Sequence, residues 1–334
     1  MKFLQVVTSN FLPEFENLLQ DQIPLPAYSL KLMRACTDKS RDLKQQLIKN
    51  TGIFCQLLDL FKMHRPEYQN GGSSVLRYTV GILNDLVADK TADVLFVCRR
   101  GFLDEFALLF VDVVADSNGD ASSFDVSHLL LQLLDIMHHV LKKIEQSIKR
   151  VLSSANSNRG GLGQSQRTPH SGSDLSKEDV EELLQGANVL SDLNGLLMNL
   201  LVNEDDDIQE WACRSLYLSA ELFGGGGSGD KSSEKNDGAD NQHHVSLSCF
   251  TPDNLRYLCQ ATKAAPRKRQ KLLLRIVKRF VSTSSKCRHL VMSSSSVSSS
   301  QFKELFEDLV TLKGDDNDTK SVRNIATELR KLNK

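Results

Sequence analysis

The sequence predicts an all-α protein in which pairs of helices stack into a superhelix. Three observations lead to this fold class: apolar residues recur at helical spacing in nearly every ordered segment, short apolar patterns repeat along the chain, and Gly/Ser-rich segments separate groups of helices. None of the 334 residues lies in a convincing strand pattern. A helix pair that is apolar on two sides must be covered by the pairs before and after it, which favours a stack over a compact bundle.

The individual helices are predicted from apolar spacing and from the residues at their ends. Leu76, Val80 and Leu83 fall on one side of a helix, and a much longer pattern runs from Phe124 to Leu152. Prolines at predicted first turns and glycines at predicted boundaries are Pro13, Pro26, Pro252, Pro266, Gly52 and Gly101. The predicted helices cover residues 73–89, 102–113, 124–152, 178–203, 206–223, 252–264, 266–283, 300–312 and 317–333.

Degenerate repeats connect these helices. Residues 52–58 are echoed by residues 101–109, and the string at 80–86 between them is typical of the last helix of an armadillo repeat. Residues 196–216 read as helix, acidic turn and helix, an order that resembles a HEAT repeat. We interpret Asp205-Asp206-Asp207 as the N-terminal cap of the second helix, with a weak cation site as the alternative. The predicted architecture is therefore an α-α superhelix of degenerate armadillo/HEAT-like repeats.

Two low-complexity segments divide the predicted superhelix. Both are rich in Gly, Ser or Asp and poor in apolar residues, and structureless loops of this length are uncommon inside a compact domain. The predicted parts are N-terminal helical repeats at 1–152, a disordered linker at 153–176, a helical repeat pair at 177–223, a disordered linker at 224–250 and C-terminal basic helical repeats at 251–334.

Charge is unevenly distributed along the chain. Residues 254–303 contain twelve Lys or Arg and no Asp or Glu, whereas the rest of the chain has 29 basic and 42 acidic residues. Within this run, residues 267–280 predict one amphipathic helix with Leu273 and Phe280 on its apolar side. The predicted partner-binding residues on its basic side are Arg267, Lys268, Lys271, Arg275, Lys278 and Arg279.

Three interpretations of this basic side are open. It is the solvated flank of a repeat helix, a docking surface for an acidic protein such as the tails of tubulin, or a phosphate-binding surface for nucleic acid or anionic lipid. Tyr257 is the only Tyr, Trp or His near the front of the run, so base stacking has little support. We predict an acidic protein partner and no small-molecule substrate, with a basic nucleic-acid-binding repeat protein as the alternative.

Catalytic and metal-binding patterns are largely missing. The seven cysteines show no zinc-site spacing and are expected to be buried free thiols. His128, Asp135 and His139 share one stripe of the long helix, which a solvated polar face explains without a metal ion. Gly224–Ser232 nearly matches a phosphate-binding loop, but it has one residue too many before the lysine and follows a helix instead of a strand. We predict no catalytic residue, no metal and no cofactor.

Three smaller expectations complete the picture. Thr168, in Arg167-Thr168-Pro169, is a candidate proline-directed phosphosite, with an unmodified linker as the alternative. Trp211 is predicted to lie in the repeat core. The chain has no stretch of 18 apolar residues and no recognisable secretory leader, so no membrane span is predicted and the expected location is the cytoplasm or the nucleus.

Three stretches resemble a known family. They are residues 23–32, the string Leu83–Ala88 followed by residues 100–103, and residues 270–279. Their order and separation resemble the C-terminal armadillo/HEAT-like region of the fourth unc-51-like kinase family, relatives of the Fused kinases, over most of the chain apart from the two linkers.

The resemblance implies a regulatory scaffold. Members of that family carry a kinase or pseudokinase domain before the repeats and are associated with cilia and microtubules. This chain lacks the Val-Ala-Ile-Lys, His-Arg-Asp and Asp-Phe-Gly strings of a kinase, and His64-Arg65-Pro66 is the nearest approach to them. No residue is therefore assigned a role in phosphoryl transfer, and the resemblance implies a non-catalytic protein of the cytoplasm, cilium or cytoskeleton.

Overall fold

The fold consists of helices joined by short turns, as seen in a computed structural model of the chain. The structure describes residues 6–70, 73–99, 101–117, 124–157, 176–223, 249–292 and 297–332, and no strand occurs among them. Contacts divide the chain into two compact units, residues 1–186 and 187–334.

The first unit contains nine α-helices within its described residues. A π-helical turn at Val7–Phe11 precedes the first helix, and a 3-10 turn at Arg65–Asn70 follows the fourth. The helices are α1 Leu12–Leu19, α2 Leu25–Thr37, α3 Arg41–Lys49, α4 Thr51–His64, α5 Ser74–Ala88, α6 Val94–Arg99, α7 Phe102–Ser117, α8 Phe124–Ser157 and α9 Lys177–Ala187.

Three helix pairs stack in this unit: α1 with α2, α4 with α5 and α7 with α8. The first helices of the pairs pack side by side in the order α1, α4, α7, and the second helices in the order α2, α5, α8. Buried phenylalanines join successive pairs, since the ring centroids of Phe61 on α4 and Phe102 on α7 lie 4.7 Å apart. Each pair is thus covered by its neighbours, as the predicted superhelix requires.

The second unit repeats this arrangement. Its pairs are formed by the second and third helices, the fourth and fifth, and the last two, and again the first and second helices of successive pairs pack in two layers. The helices are α10 Val189–Asp192, α11 Asn194–Leu200, α12 Asp206–Phe223, α13 Pro252–Ala264, α14 Arg267–Thr283, α15 Ser285–Met292, α16 Val297–Val310 and α17 Asn317–Lys331.

Helix ends follow the expected chemistry. Pro252 lies at the first position of α13, and Thr251 caps that helix by accepting a hydrogen bond from the Asn254 N–H at 3.1 Å. Gly101, with φ at +64°, provides the left-handed residue that lets the chain turn into α7. Pro266 differs from the prediction by one position, because it is the N-cap of α14 with an extended ψ of 154°.

Two predicted helices differ most in extent from the observed ones. The helix predicted at 178–203 is divided into α9, α10 and α11, because the chain turns near Asn188 and Leu193. Helix α8 was expected to end at 152 but continues to Ser157, inside the predicted first linker. Residues 158–175 and 224–248 of the predicted linkers lie outside the described residues, so the five-part division of the chain stays a prediction.

Polar contacts also connect successive pairs in the first unit. Arg65, just after α4, donates to Asp112 of α7 at 3.1 Å, and the Tyr68 hydroxyl donates to Asp116 at 2.9 Å. Burial and the hydrogen bond to Asp116 raise the pKa of Tyr68, so the phenol stays a neutral donor. The 3-10 turn is therefore held on α7 by side chains from both elements.

An arginine crosses a helix in the other layer. The side chain of Arg34 on α2 passes over Gly81 of α5, where a Cβ atom would lie 1.2 Å from Nη1 of the guanidinium. With the Gln132 amide of α8 oriented so that its oxygen faces the guanidinium, that oxygen accepts from Nη1 at 3.1 Å and from Nη2 at 2.8 Å. Arg34 therefore links three neighbouring helices because position 81 has no side chain.

We expect Gly81→Ala to destabilise the protein. Helix propensity favours Ala over Gly by about 1 kcal/mol. The added methyl group would displace the guanidinium from Gln132, so we expect a net loss of about 1–3 kcal/mol in the free energy of unfolding. Urea denaturation followed by far-ultraviolet circular dichroism measures it.

The matched background for this test is Arg34→Ala. Once the guanidinium is removed, Ala at position 81 has space, so Gly81→Ala should become neutral or stabilising in the double variant. A loss of the same size in both backgrounds would show that the crossing arginine is not the reason for the glycine.

Candidate partner-binding surface on α14

Helix α14 is held in the second unit by its apolar side. Leu273, Ile276 and Phe280 are fully buried, and the exposed fraction of Val277 is 1%. The Gln270 amide, also buried, donates to the Thr262 carbonyl of α13 at 2.9 Å. The amphipathic helix predicted at 267–280 is confirmed, and its basic side is directed away from the core.

One flank of α14 is neutralised by α12. Nε of Arg269 lies 3.1 Å from Oε2 of Glu210, and its Nη1 lies 3.7 Å from Oδ1 of Asp206. Nη1 also donates to the Gln209 amide oxygen. Only 13% of the Arg269 side chain is exposed, so this guanidinium is committed to α12.

The other flank is neutralised by α17. Nζ of Lys271 lies 3.0 Å from Oδ1 of Asp318, and Lys278 forms an ion pair with Glu328. Because α14 packs between α12 and α17, carboxylates of both neighbours supply the counter-charges that residues 254–303 lack. Each of these half-exposed pairs contributes only about 0–1 kcal/mol to stability.

The cations left on the outer side define the open face of α14: Lys268, Arg275 and Arg279. Lys268 and Arg275 are exposed and Arg279 is half-buried, and none of the three forms an ion pair with a described residue. Nε of Arg279 is buried without a hydrogen-bond partner among the described residues. This face is the part of the basic side that can offer unneutralised charge to a partner.

The six predicted residues are therefore divided. Lys271 and Lys278 face α17, and Arg267 donates to Oε1 of Gln270 at 2.6 Å. Their role in partner binding stays a prediction, as it does for the open face. Arg269, which was not among the six, makes the most extensive contacts of the cations on α14. The only feature of the sequence that could have indicated its ion pair is the acidic residue Glu210 on a neighbouring repeat helix.

A cleft lies beside Arg269. It has a volume of 340 Å³ and is lined by the turns between α11 and α12 and between α13 and α14, with apolar walls at Leu201, Ala261 and Pro266. Since Glu210 already neutralises Arg269, the cleft has no free cation to offer an anionic ligand.

The histidine stripe on α8 is explained by pairs within the helix. His128 contacts Gln132, and Nδ1 of His139 lies 2.9 Å from both the carboxylate and the carbonyl oxygen of Asp135. The hydrogen bond to the Asp135 carboxylate raises the pKa of His139 although burial opposes it. No group of three or more His, Cys, Asp or Glu residues that could hold a metal ion occurs in the described part of the chain.

Six of the seven cysteines are buried, as expected. Burial raises the pKa of Cys98 and of Cys213 to about 12. A thiol with such a pKa is almost fully protonated near neutral pH and is a poor nucleophile or metal ligand. Thr168 and Gly224–Ser232 lie outside the described residues.

Two predictions near α12 have opposite outcomes. Trp211 is half-exposed, not buried in the core, and the Arg214 guanidinium lies 5.2 Å from its ring centroid, so that prediction is wrong. The acidic turn does cap the helix, since Oδ1 of Asp205 accepts from the Asp207 N–H at 2.8 Å.

Comparison with known proteins confirms the family resemblance. Residues 1–45 match a family model described as serine/threonine-protein kinase ULK4-like, HEAT repeats. The chain is 26% identical over 285 residues to serine/threonine-protein kinase ULK4 of Mus musculus, and the match covers 84% of this chain and 19% of the mouse protein. The chain therefore spans less than a fifth of that relative, in agreement with a repeat region outside a kinase domain.

A solved structure supports the fold class. The crystal structure of an engineered protein from the Northeast Structural Genomics Consortium has a TM-score of 0.50 and 12% identity, covering 96% of this chain and 97% of that one. At this identity the likeness concerns the fold alone, and the all-α repeat architecture is confirmed. None of the described helices has the length and apolar character that crossing a membrane requires.

We expect Arg269→Met to reduce the free energy of unfolding by about 1.5–3 kcal/mol, since hydrogen bonds to charged groups are lost from a largely buried site. Lys268→Met is the matched control, one position earlier on the exposed side, and should change it by less than about 0.5 kcal/mol. Chemical denaturation of both variants measures the difference. Equal effects would show that the contacts with α12 do not anchor the helix.

We expect the contribution of His139 to depend on pH. Its folded-state pKa is raised, so its stabilising interaction with Asp135 is fully present below the unfolded pKa of about 6.5 and is lost as pH rises through the folded value. Replacement of His139 by Asn should therefore be more destabilising in mildly acidic than in mildly alkaline buffer, as measured by urea denaturation at both pH values. Equal losses at both pH values would contradict this role of the Asp135 carboxylate.

Proposed function

We propose that this chain is a non-catalytic helical-repeat scaffold that binds an acidic protein partner through the open face of α14. The observation that carries the proposal is the selective neutralisation around that face. Arg269, Lys271 and Lys278 have counter-charges on α12 and α17, whereas the three cations of the open face have none among the described residues. A cluster of cations without internal counter-charges attracts an acidic surface and accelerates its association.

The similarity to the mouse relative supports a more specific setting. We propose that the chain serves as the regulatory repeat part of an unc-51-like kinase or pseudokinase, and that it acts in the cytoplasm at cilia or microtubules. The acidic tails of tubulin have the charge that the open face of α14 would attract. Helical-repeat proteins present long surfaces of this kind to other proteins.

Binding of a labelled Glu-rich peptide, followed by fluorescence anisotropy, tests this proposal. We expect Lys268→Glu combined with Arg275→Glu to raise the Kd by about tenfold or more, since repulsion replaces attraction at the contact. Co-sedimentation with microtubules, before and after proteolytic removal of the tubulin tails, tests whether those tails are the partner.

A charge-matched control separates the open face from net charge. Lys263 and Lys303 lie on α13 and α16, in the other layer of the stack, and their replacement by Glu changes the net charge by the same amount. This variant should keep most of the affinity. Equal losses in the two double variants, or no effect of either, would contradict a binding site on α14.

Nucleic acid is the alternative partner because the same cations could contact phosphates. Binding of single-stranded RNA across a salt series decides between the two partners. The logarithm of the affinity falls linearly with the logarithm of the salt concentration, with a slope of about −0.7 to −0.9 for each phosphate contact. A slope near zero removes the alternative, whereas a steep slope without binding of the acidic peptide would replace the proposed function.

A further inference from the structure

We infer that Arg275 and Arg279 form a phosphate clamp for a phosphorylated serine or threonine of the partner. The inference rests on the proposed binding of an acidic protein by the open face of α14, and it specifies the chemistry of that partner. It follows from which cations the neighbouring helices neutralise, from the spacing of the two arginines and from an unused hydrogen-bond donor.

Two of the three cations on the open face of α14 are arginines. The lysines that face α17, Lys271 and Lys278, are each paired with one carboxylate. Both arginines of the open face are left without an ion pair among the described residues. A guanidinium group presents a planar set of N–H donors that binds phosphate through two parallel hydrogen bonds, which an ammonium group cannot do.

The spacing of the arginines suits a single doubly charged group. Arg275 and Arg279 are one helical turn apart on one side of α14, which places their Cβ atoms about 5–6 Å from each other. Two guanidinium groups at that distance can reach the same phosphate, whose three oxygens accept more hydrogen bonds than the two of a carboxylate. A phosphomonoester therefore uses both arginines, whereas a glutamate is satisfied by one.

Arg279 also has a donor that no described residue satisfies. Its Nε is buried without a hydrogen-bond partner, although the residue as a whole is half-exposed. A buried donor without an acceptor costs free energy, so a reorientation of the Arg279 side chain that brings Nε to a partner's acceptor gains more than the same contact at a fully solvated arginine.

Lys268 specifies a second contact. It lies seven residues before Arg275 and nine before the midpoint of the two arginines, which corresponds to about 10.5–13.5 Å along the helix axis, and its flexible side chain can extend toward them. In an extended polyproline-type segment, residues three positions apart lie on the same side and are separated by about 9.3 Å. The partner segment therefore carries an acidic residue three positions from the phosphorylated one.

Three otherwise identical peptides test the clamp, with phosphoserine, glutamate or serine at the central position and glutamate three positions away on both sides. Anisotropy titrations should give the phosphoserine peptide a Kd about tenfold or more below that of the glutamate peptide.

Arg275→Lys combined with Arg279→Lys keeps the charge and removes the forked donors. It should weaken the phosphoserine peptide by about tenfold and change the glutamate peptide by less than about twofold.

Arg256→Lys combined with Arg330→Lys is the control, because it makes the same chemical change on α13 and α17 and should leave all three peptides unaffected. Equal affinity for the phosphoserine and glutamate peptides would overturn the clamp and leave the proposed function intact. Failure of both to bind would remove the proposed function and the clamp together. Binding of phosphoinositide vesicles or single-stranded RNA, but not of the phosphopeptide, in an Arg275-dependent manner would overturn the phosphoprotein assignment.

Discussion

The burial of each helix pair against the next is the interaction on which the rest of the structure depends. Complete burial of a side chain such as Leu273 or Phe280 contributes about 1.5–3 kcal/mol. The half-exposed ion pairs at the edges of α14 contribute about 0–1 kcal/mol each. Apolar packing therefore holds α14 between α12 and α17, and the ion pairs are a consequence of that placement. The same placement decides which cations stay uncompensated.

Much of the fold could be predicted because helical periodicity is a local property. The bounds of α12 and α13 agree with the predicted ones, since acidic residues mark the start of the former and proline that of the latter. The region of α9 to α11 was predicted as one helix because apolar residues recur throughout it and no proline interrupts it, so the spacing gives no sign of a turn. The end of α8 was missed for the opposite reason, since Ser153–Ser157 carry no apolar pattern but extend a helix already formed.

Only part of the candidate site could be predicted from the sequence. The helix, its basic side and the six cations were identified from spacing along α14. The compensation of Lys271 by Asp318 and of Arg269 by Glu210 was not, because those carboxylates lie 47 and 59 residues away and meet α14 only through the stacking of pairs. Trp211 was misjudged for a related reason, because exposure at a repeat surface depends on neighbours that one helix cannot reveal.

The crossing of α5 by Arg34 has a consequence for how this part of the chain can diverge in evolution. Glycine at position 81 serves the path of a side chain from another helix, and its own backbone is ordinary helix. A homologue that shortens residue 34 would remove the steric demand and free position 81 to acquire a larger residue. In an alignment of relatives, positions 34 and 81 should then covary. Position 132 should also vary wherever the guanidinium that donates to Gln132 is absent.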